Sequence, residues 1–105
     1  MPALPSVSVT ELSTLHGEGA VILDVREDAE LAICALEGAL HIPMQQVPVR
    51  WHELPTDAPI YCLCHHGMRS AMVAQFLRER DLDAINVSGG IEAWACQVEP
   101  DMTRY

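Results

Sequence analysis

Apolar and polar positions alternate along the chain in two different patterns. Four short runs are almost continuously apolar, which is typical of parallel strands that are covered on both faces. They are residues 20–23, 39–42, 60–63 and 84–87. Between them lie segments whose apolar residues recur every three or four positions, as on one face of a helix. This alternation predicts an α/β domain: a small parallel sheet of about five strands, with right-handed crossovers and helices on both faces.

Local signals add detail at the two ends of the chain. Ser8 and Glu11 have the spacing of a capping box, so we expect a helix that begins near Val9 and ends before Gly17. Val7 then lies at the end of a short edge strand. Residues 99–105, with Pro100 as a helix breaker, are predicted to be a tail.

The connections are less regular. Residues 29–36 suit a short helix that ends at Gly38. Residues 44–58 and the positions around them contain several prolines, which indicates a helical turn within a long connection. A helix containing Trp94 follows the sharp turn at residues 88–90, because two glycines there free the backbone.

Length and charge limit the possible functions. The 105 residues suffice for one domain, spanning 1–105, and no apolar run approaches the ~20 residues of a membrane span. Fifteen acidic residues against six arginines, with no lysine, give a formal charge of −9. Such a surface repels phosphate backbones, so we expect neither nucleic acid nor a membrane as partner. The first five residues lack the basic start of a signal peptide, and we expect a cytoplasmic location.

The turn after the third apolar run carries the chemistry. Residues 60–63 read as a buried strand and residues 71–78 as a helix, which confines the turn to about Cys64 to Arg69. Backbone amides in so short a turn point inward and form an anion cradle. The Cys64 thiolate would be stabilised there by the helix N-terminus and by Arg69. Cys64 is therefore the predicted nucleophile.

The other cysteines and histidines carry weaker signals. Cys34, Cys62 and Cys96 complete a set of four whose uneven spacing fits neither a zinc site nor a disulfide scaffold. Cys62 and Cys64 start on the same face of the sheet, so a redox C-x-C pair remains an alternative to a core role for Cys62. His41 and His52 have no partner at metal-ligand spacing, and no metal is predicted.

Four patches in this order resemble the single-domain rhodaneses. They are residues 23–27 (LDVRE), 37–43 (EGALHIP), 64–70 (CHHGMRS) and 87–94 (VSGGIEAW). The resemblance covers roughly residues 7–99 and implies a rhodanese-like fold with Cys64 as the catalytic residue. It also implies a substrate-binding loop and no cofactor. The loop residues are His65, His66, Gly67, Met68, Arg69 and Ser70.

The resemblance gives further residues supporting roles. Asp24 and Arg26 are expected to support the active-site loop, whereas an ordinary surface ion pair with a helix cap is the alternative. Gly89 and Gly90 would lie close to the loop, although a plain helix start is equally compatible. Ser70 either caps the following helix or donates a hydrogen bond to a persulfide.

The implied reaction is sulfur transfer. Cys64 would take a sulfane sulfur from a small anionic donor, thiosulfate or a persulfide, and pass it to a thiol, to cyanide or to an acceptor protein. Protonated His65 or His66 could help to attract the donor. A non-enzymatic interaction module of the same fold is one alternative. A cysteine-based phosphatase or arsenate reductase is another, but the four residues between Cys64 and Arg69 are one fewer than such enzymes carry.

Overall fold

Five parallel strands form one sheet in the order β1-β5-β4-β2-β3 in the computed structural model of the chain. The structure describes residues 3–105; Met1 and Pro2, which begin the stretch without signal-peptide features, lie outside the described residues. The strands are β1 (Ser6–Val7), β2 (Val21–Asp24), β3 (Leu40–His41), β4 (Ile60–Leu63) and β5 (Ala84–Val87). The predicted parallel α/β sheet is confirmed, with Val7 in an edge strand.

Helices cover both faces of the sheet. They are α1 (Val9–Gly17), α2 (Asp28–Leu31), α3 (Val47–Arg50), α4 (Met68–Arg78) and α5 (Gly90–Gln97). The capping box predicted at Ser8 and Glu11 is present and begins α1. Within residues 3–105, no helix is long and apolar enough to cross a membrane.

The strand β4 shows how the two halves of the core are built. Ile60 and Cys62 point into a cluster that is shared with α3 and α4, while Tyr61 and Leu63 point into a cluster shared with α1 and α5. All four side chains are buried. Since β4 is the middle strand, the residue that follows it emerges at the centre of the sheet's carboxyl edge, where ligands bind in open parallel sheets.

The predicted helix over residues 29–36 is wrong in its extent, because α2 ends at Leu31. The guanidinium of Arg26 lies beside this segment and donates hydrogen bonds to the carbonyl oxygens of Glu30, at 3.4 Å, and Cys34, at 2.8 Å. After Leu31 the chain leaves the helix in a turn, in which the amides of Ile33 and Cys34 also donate to the Glu30 carbonyl oxygen, and it passes around this buried cation. Gly38, with φ at +79°, belongs to a later turn that leads into β3 and does not end α2.

The connection between β3 and β4 is more ordered than the prolines suggested. Two short 3₁₀ helices, Met44–Gln46 and Trp51–Glu53, flank α3. Val47 and Leu54 anchor this connection in the core beside α4. It therefore forms a packed wall on the α4 side of the sheet.

Candidate active site

The turn between β4 and α4 has the predicted form. Cys64 directly follows β4, and α4 begins at Met68, only four residues later. Gly67 precedes the helix with φ at +108°, in the left-handed region that glycine adopts freely. A Cβ at Gly67 would meet the Gly89 nitrogen and the Val87 oxygen, each at 3.3 Å, so the turn packs closely against the end of β5.

A backbone donor and a hydroxyl oxygen contact the sulfur of Cys64. The backbone nitrogen of Gly67 lies 3.1 Å and the hydroxyl oxygen of Ser70 lies 3.3 Å from Cys64 Sγ. In the part of the chain that the structure describes, the amides of His65 and His66 donate no hydrogen bond to another backbone group. The first turn of α4 adds N–H groups without intrahelical partners. These groups favour negative charge on Sγ or on an atom attached to it.

Ser70 does not cap α4, since the N-cap position is Gly67 and Ser70 lies inside the helix. Its buried hydroxyl donates its one proton to Asn86 Oδ1, at 2.6 Å, and its oxygen lies 3.3 Å from Cys64 Sγ. Asn86 also donates from Nδ2 to the carbonyl oxygen of Gly67, at 3.1 Å. One side chain on β5 thus fixes both the turn and the hydroxyl beside the nucleophile.

Asn86 was not predicted to belong to the site, because residues 84–87 have the pattern of a strand and no more. A polar amide within an otherwise apolar run of a central strand is the signal that was available.

The segment Gly89–Gly90 lies against the loop, as the resemblance implied. At the start of α5, the amides of Ile91 and Glu92 donate to the carbonyl oxygens of Cys64, at 2.9 Å, and His65, at 3.0 Å. A Cβ at Gly90 would lie only 2.3 Å from the His65 oxygen and 2.5 Å from the Cys64 oxygen. The alternative, a plain helix start, omits this contact, although Trp94 is also a buried core residue.

Asp24 and Arg26 form a buried ion pair, so the alternative of a surface pair is wrong. Neither residue is exposed, and Arg26 Nη2 lies 2.7 Å from Asp24 Oδ2. Arg26 reaches the site indirectly. Its Nη1 donates a hydrogen bond to the carbonyl oxygen of Glu30, and the Glu30 side chain in turn binds Arg69 of the loop.

Arg69 is paired with a carboxylate. Its Nη1 lies 2.7 Å from Glu30 Oε1 and its Nη2 lies 2.8 Å from Glu30 Oε2, with 35% and 19% of the two side chains exposed. This bidentate contact lowers the pKa of Glu30 to about 2, and its first cause is the hydrogen bond from Arg69. The pair was not predicted, because Glu30 lies on a different element from the loop and 39 positions away.

Residues from the predicted tail complete the rim of the site. The Tyr105 ring stacks on His65 with centroids 3.9 Å apart, and His65 stacks on His66 at 4.0 Å. The Tyr105 hydroxyl accepts from Arg26 Nη1, at 2.9 Å, and donates to Glu30 Oε2, at 2.7 Å. The description of residues 99–105 as a mere tail is therefore incomplete.

The stack changes the expected role of His65. Burial, together with the neighbouring His66, lowers the pKa of His65 below its ordinary value. The lower pKa disfavours the protonated form of His65, whose ring forms part of the wall of the site. The prediction that protonated His65 attracts an anion is not supported by this geometry.

The loop lines a pocket of about 210 Å³ that is open to solvent. Its lining residues are Cys64, His65, His66, Met68 and Arg69. Met68 is 80% exposed and stands at the mouth, whereas Cys64 is buried at the floor. The pocket can therefore admit a small molecule, or a group carried by a larger partner, to the sulfur.

The remaining cysteines lie outside the pocket. Cys62 is fully buried in the core beside α4, and burial raises the pKa of its thiol to about 12. Cys34 is partly buried, and Cys96, on α5, is exposed. Among residues 3–105, no cluster of three or more histidine, cysteine or acidic side chains could hold a metal ion.

Comparisons with known proteins agree with the resemblance seen in the sequence. A family model described as rhodanese-like domain matches residues 8–97. A crystal structure of a rhodanese-like domain protein from Staphylococcus aureus has a TM-score of 0.82 at 34% identity and covers 87% of this chain and 91% of that one.

Two curated relatives carry names that state an activity. A sulfurtransferase of Allochromatium vinosum is 34% identical over 79 residues, which are 74% of this chain and 74% of the relative. The thiosulfate sulfurtransferase GlpE of Actinobacillus succinogenes is 34% identical over 92 residues, which are 87% of this chain and 83% of the relative.

Proposed function

This chain belongs to the rhodanese-like domain family, and we propose that it is a sulfurtransferase that carries a sulfane sulfur on Cys64. The observation that carries the proposal is the backbone N–H of Gly67, which donates to Cys64 Sγ at 3.1 Å at the floor of an open pocket, with the Ser70 hydroxyl oxygen 3.3 Å from the same sulfur. The relatives named as sulfurtransferases support the reaction class.

In the first half of the reaction, the Cys64 thiolate attacks the outer sulfur of thiosulfate or of a persulfide. A bond forms between Sγ and that sulfur, and the donor's sulfur–sulfur bond breaks, with its electron pair leaving on sulfite or on a thiolate. The enzyme is left as Cys64–S–S⁻. Loop amides and the N-terminal turn of α4 stabilise the terminal sulfur anion, because they point into the turn where it forms.

In the second half, a nucleophilic acceptor removes the outer sulfur and regenerates the thiolate. Cyanide serves as acceptor in an assay, and a thiol or an acceptor protein serves in a cell. The exposed positions of His66 and Met68 at the pocket mouth leave room for such a partner. The terminal sulfur extends from a buried Sγ toward that mouth.

The geometry of Cys62 argues against the redox alternative. A C-x-C redox pair needs a second thiol that ionises and reaches the first, whereas Cys62 is fully buried and its pKa is raised to about 12. The phosphatase alternative is disfavoured by the four-residue spacing from Cys64 to Arg69. The presence of Cys64 in a complete, open loop favours an enzyme over a purely structural interaction module.

The test is the mass of the intact protein after exposure to thiosulfate or to cysteine persulfide. We expect the wild-type protein to gain the mass of one sulfur atom and to lose it on addition of cyanide, with thiocyanate released. Cys64→Ser should gain nothing, while Cys62→Ser and Cys96→Ser serve as matched controls and should behave as wild type. Sulfur transfer by Cys64→Ser would refute the assignment, and equal dependence on Cys62 would restore the redox alternative.

A further inference from the structure

The pocket contains one cationic lining residue, and that cation is already neutralised. Both terminal nitrogens of Arg69, Nη1 and Nη2, bind the carboxylate of Glu30. The edge of the guanidinium that could bind an anion bidentately therefore faces Glu30 and not the pocket. A bidentate pair of this kind is geometrically specific and carries no net charge. An anionic donor that approaches Cys64 therefore meets the field of a neutral pair.

Glu30 is held in place by four hydrogen bonds. Besides Arg69, Oε1 accepts from the backbone nitrogen of Glu27, at 3.0 Å, and Oε2 accepts from the Tyr105 hydroxyl, at 2.7 Å. Because each carboxylate oxygen of Glu30 accepts two hydrogen bonds, we expect the carboxylate to stay bound to Arg69 when a donor enters the pocket. Tyr105 is itself fixed by Arg26 and by its stacking on His65.

The second arginine near the pocket does not compensate. Arg104 is bound by Glu92, with 2.9 Å between Nη2 and Oε2, and burial lowers the pKa of His65, which disfavours its protonated form. Both arginines of this rim are thus paired with acids, on a chain whose formal charge is −9. The positive potential at Cys64 comes from backbone N–H groups and the α4 N-terminus, which suit one anionic sulfur better than a dianion.

We propose that Glu30 determines donor selectivity, and that the site takes its sulfur from a persulfide of low charge in preference to the dianion thiosulfate. The inference rests on the proposed function. The thiolate of Cys64 attacks the outer sulfur of R–S–SH, and the new Sγ–S bond replaces the donor's S–S bond. The electron pair leaves on the donor's R–S⁻, which takes up the proton of the transferred sulfur, so that R–SH departs and Cys64–S–S⁻ remains. No further oxidant or reductant is needed.

The experiment measures how fast Cys64 gains a sulfur from each donor. Quenched single turnovers of the intact protein, read by mass spectrometry, give one second-order rate constant for thiosulfate and one for cysteine persulfide. The variant is Glu30→Gln, which removes the charge but keeps the shape. The matched control is Glu53→Gln, since Glu53 also pairs with an arginine, Arg50, but outside the site.

We expect Glu30→Gln to raise the rate constant for thiosulfate by about tenfold or more, because the freed charge of Arg69 then acts on the donor at an effective dielectric constant of ~20. The rate constant for cysteine persulfide should change less than about threefold, and Glu53→Gln should leave both unchanged. In the wild-type protein, added salt should speed the thiosulfate reaction, since screening weakens the repulsion.

A double variant separates charge from shape. Glu30→Gln with Arg69→Gln is again neutral at this position, so the thiosulfate rate constant should fall back toward the wild-type value. An unchanged or lower thiosulfate rate constant in Glu30→Gln, or a wild-type thiosulfate reaction that salt slows, would overturn the inference while leaving the proposed function intact. If neither donor places a sulfur on Cys64 in the wild-type protein, the proposed function itself fails.

Discussion

Replacing Gly90 by alanine tests whether α5 holds the active-site loop in place. The new Cβ would lie 2.3 Å from the His65 carbonyl oxygen and 2.5 Å from the Cys64 carbonyl oxygen. Both are backbone atoms, so no side-chain rotation relieves the clash. The start of α5 must therefore move away from the loop, and the hydrogen bonds from the Ile91 and Glu92 amides must lengthen or break.

The expected loss of stability follows from three contributions. Gly90 has φ at +61°, and a left-handed conformation costs a residue with a Cβ about 1–2 kcal/mol. Two weakened hydrogen bonds add about 0.5–1.5 kcal/mol each. We therefore expect Gly90→Ala to reduce the free energy of unfolding by roughly 2–5 kcal/mol, before any further contribution from the clash.

Gly19 offers a matched control. It also has a positive φ, at +86°, but a Cβ there would meet no atom within 4 Å. Gly19→Ala should therefore show the conformational contribution alone, about 1–2 kcal/mol. Urea unfolding of both variants, compared with wild type, isolates the part that belongs to the contact with the loop.

The reactivity of Cys64 should be reduced more strongly than the stability of the fold. The rate at which the protein gains a sulfur should fall about 10²-fold in Gly90→Ala, since a displacement of about 1 Å is enough to misplace a nucleophile. The Gly19→Ala protein should react at the wild-type rate. Equal unfolding free energies for the two variants, with full reactivity of both, would show that α5 does not position Cys64.

Two further predictions concern the rim. Tyr105→Phe should keep the stacking on His65 but lose the hydroxyl bridge between Arg26 and Glu30. Its melting temperature should therefore fall less than that of Tyr105→Ala. Equal melting temperatures for both variants and wild type would show that the contacts of Tyr105 do not stabilise the fold. The pKa of Glu30 falls from 4.5 to about 2 on folding, chiefly because of Arg69, so its contribution to stability is complete above pH 4.5 and is lost as pH falls toward 2. The difference in unfolding free energy between wild type and Glu30→Gln should therefore shrink between pH 5 and pH 2, and a constant difference over that range would contradict the assignment.

The parts of the fold that were predictable are those whose cause is local. Continuous apolar runs mark β2 and β4 because strands inside a parallel sheet are buried on both faces. The capping box at Ser8 and Glu11 marks the start of α1 because both partners lie within one turn. The extent of α2 was predicted wrongly, since the chain after Leu31 leaves the helix and passes around the guanidinium of Arg26, which donates to the carbonyl oxygens of Glu30 and Cys34.

The site shows the same division. The position of Cys64, the positive φ of Gly67 and the start of α4 follow from one short turn of sequence. The contacts that set the charge of the pocket do not follow from any short segment of sequence. Glu30 meets Arg69 across 39 positions, and Asn86 meets Ser70 across 16, so each pair depends on how the chain is wound. No local pattern encodes that winding.

Residues beyond the family match bear on how selectivity arises. The family model covers residues 8–97, yet Arg104 and Tyr105 lie at the rim and bind Glu92 and Glu30. The nucleophile and the groups that contact its sulfur, Gly67 and Ser70, lie within the matched region, so relatives that share the match can share the chemistry at sulfur. The rim that a donor or acceptor meets first is built partly by side chains outside it. Selectivity in this chain is therefore expected to change on mutation of Tyr105 or Glu30 without any change in the loop from Cys64 to Ser70.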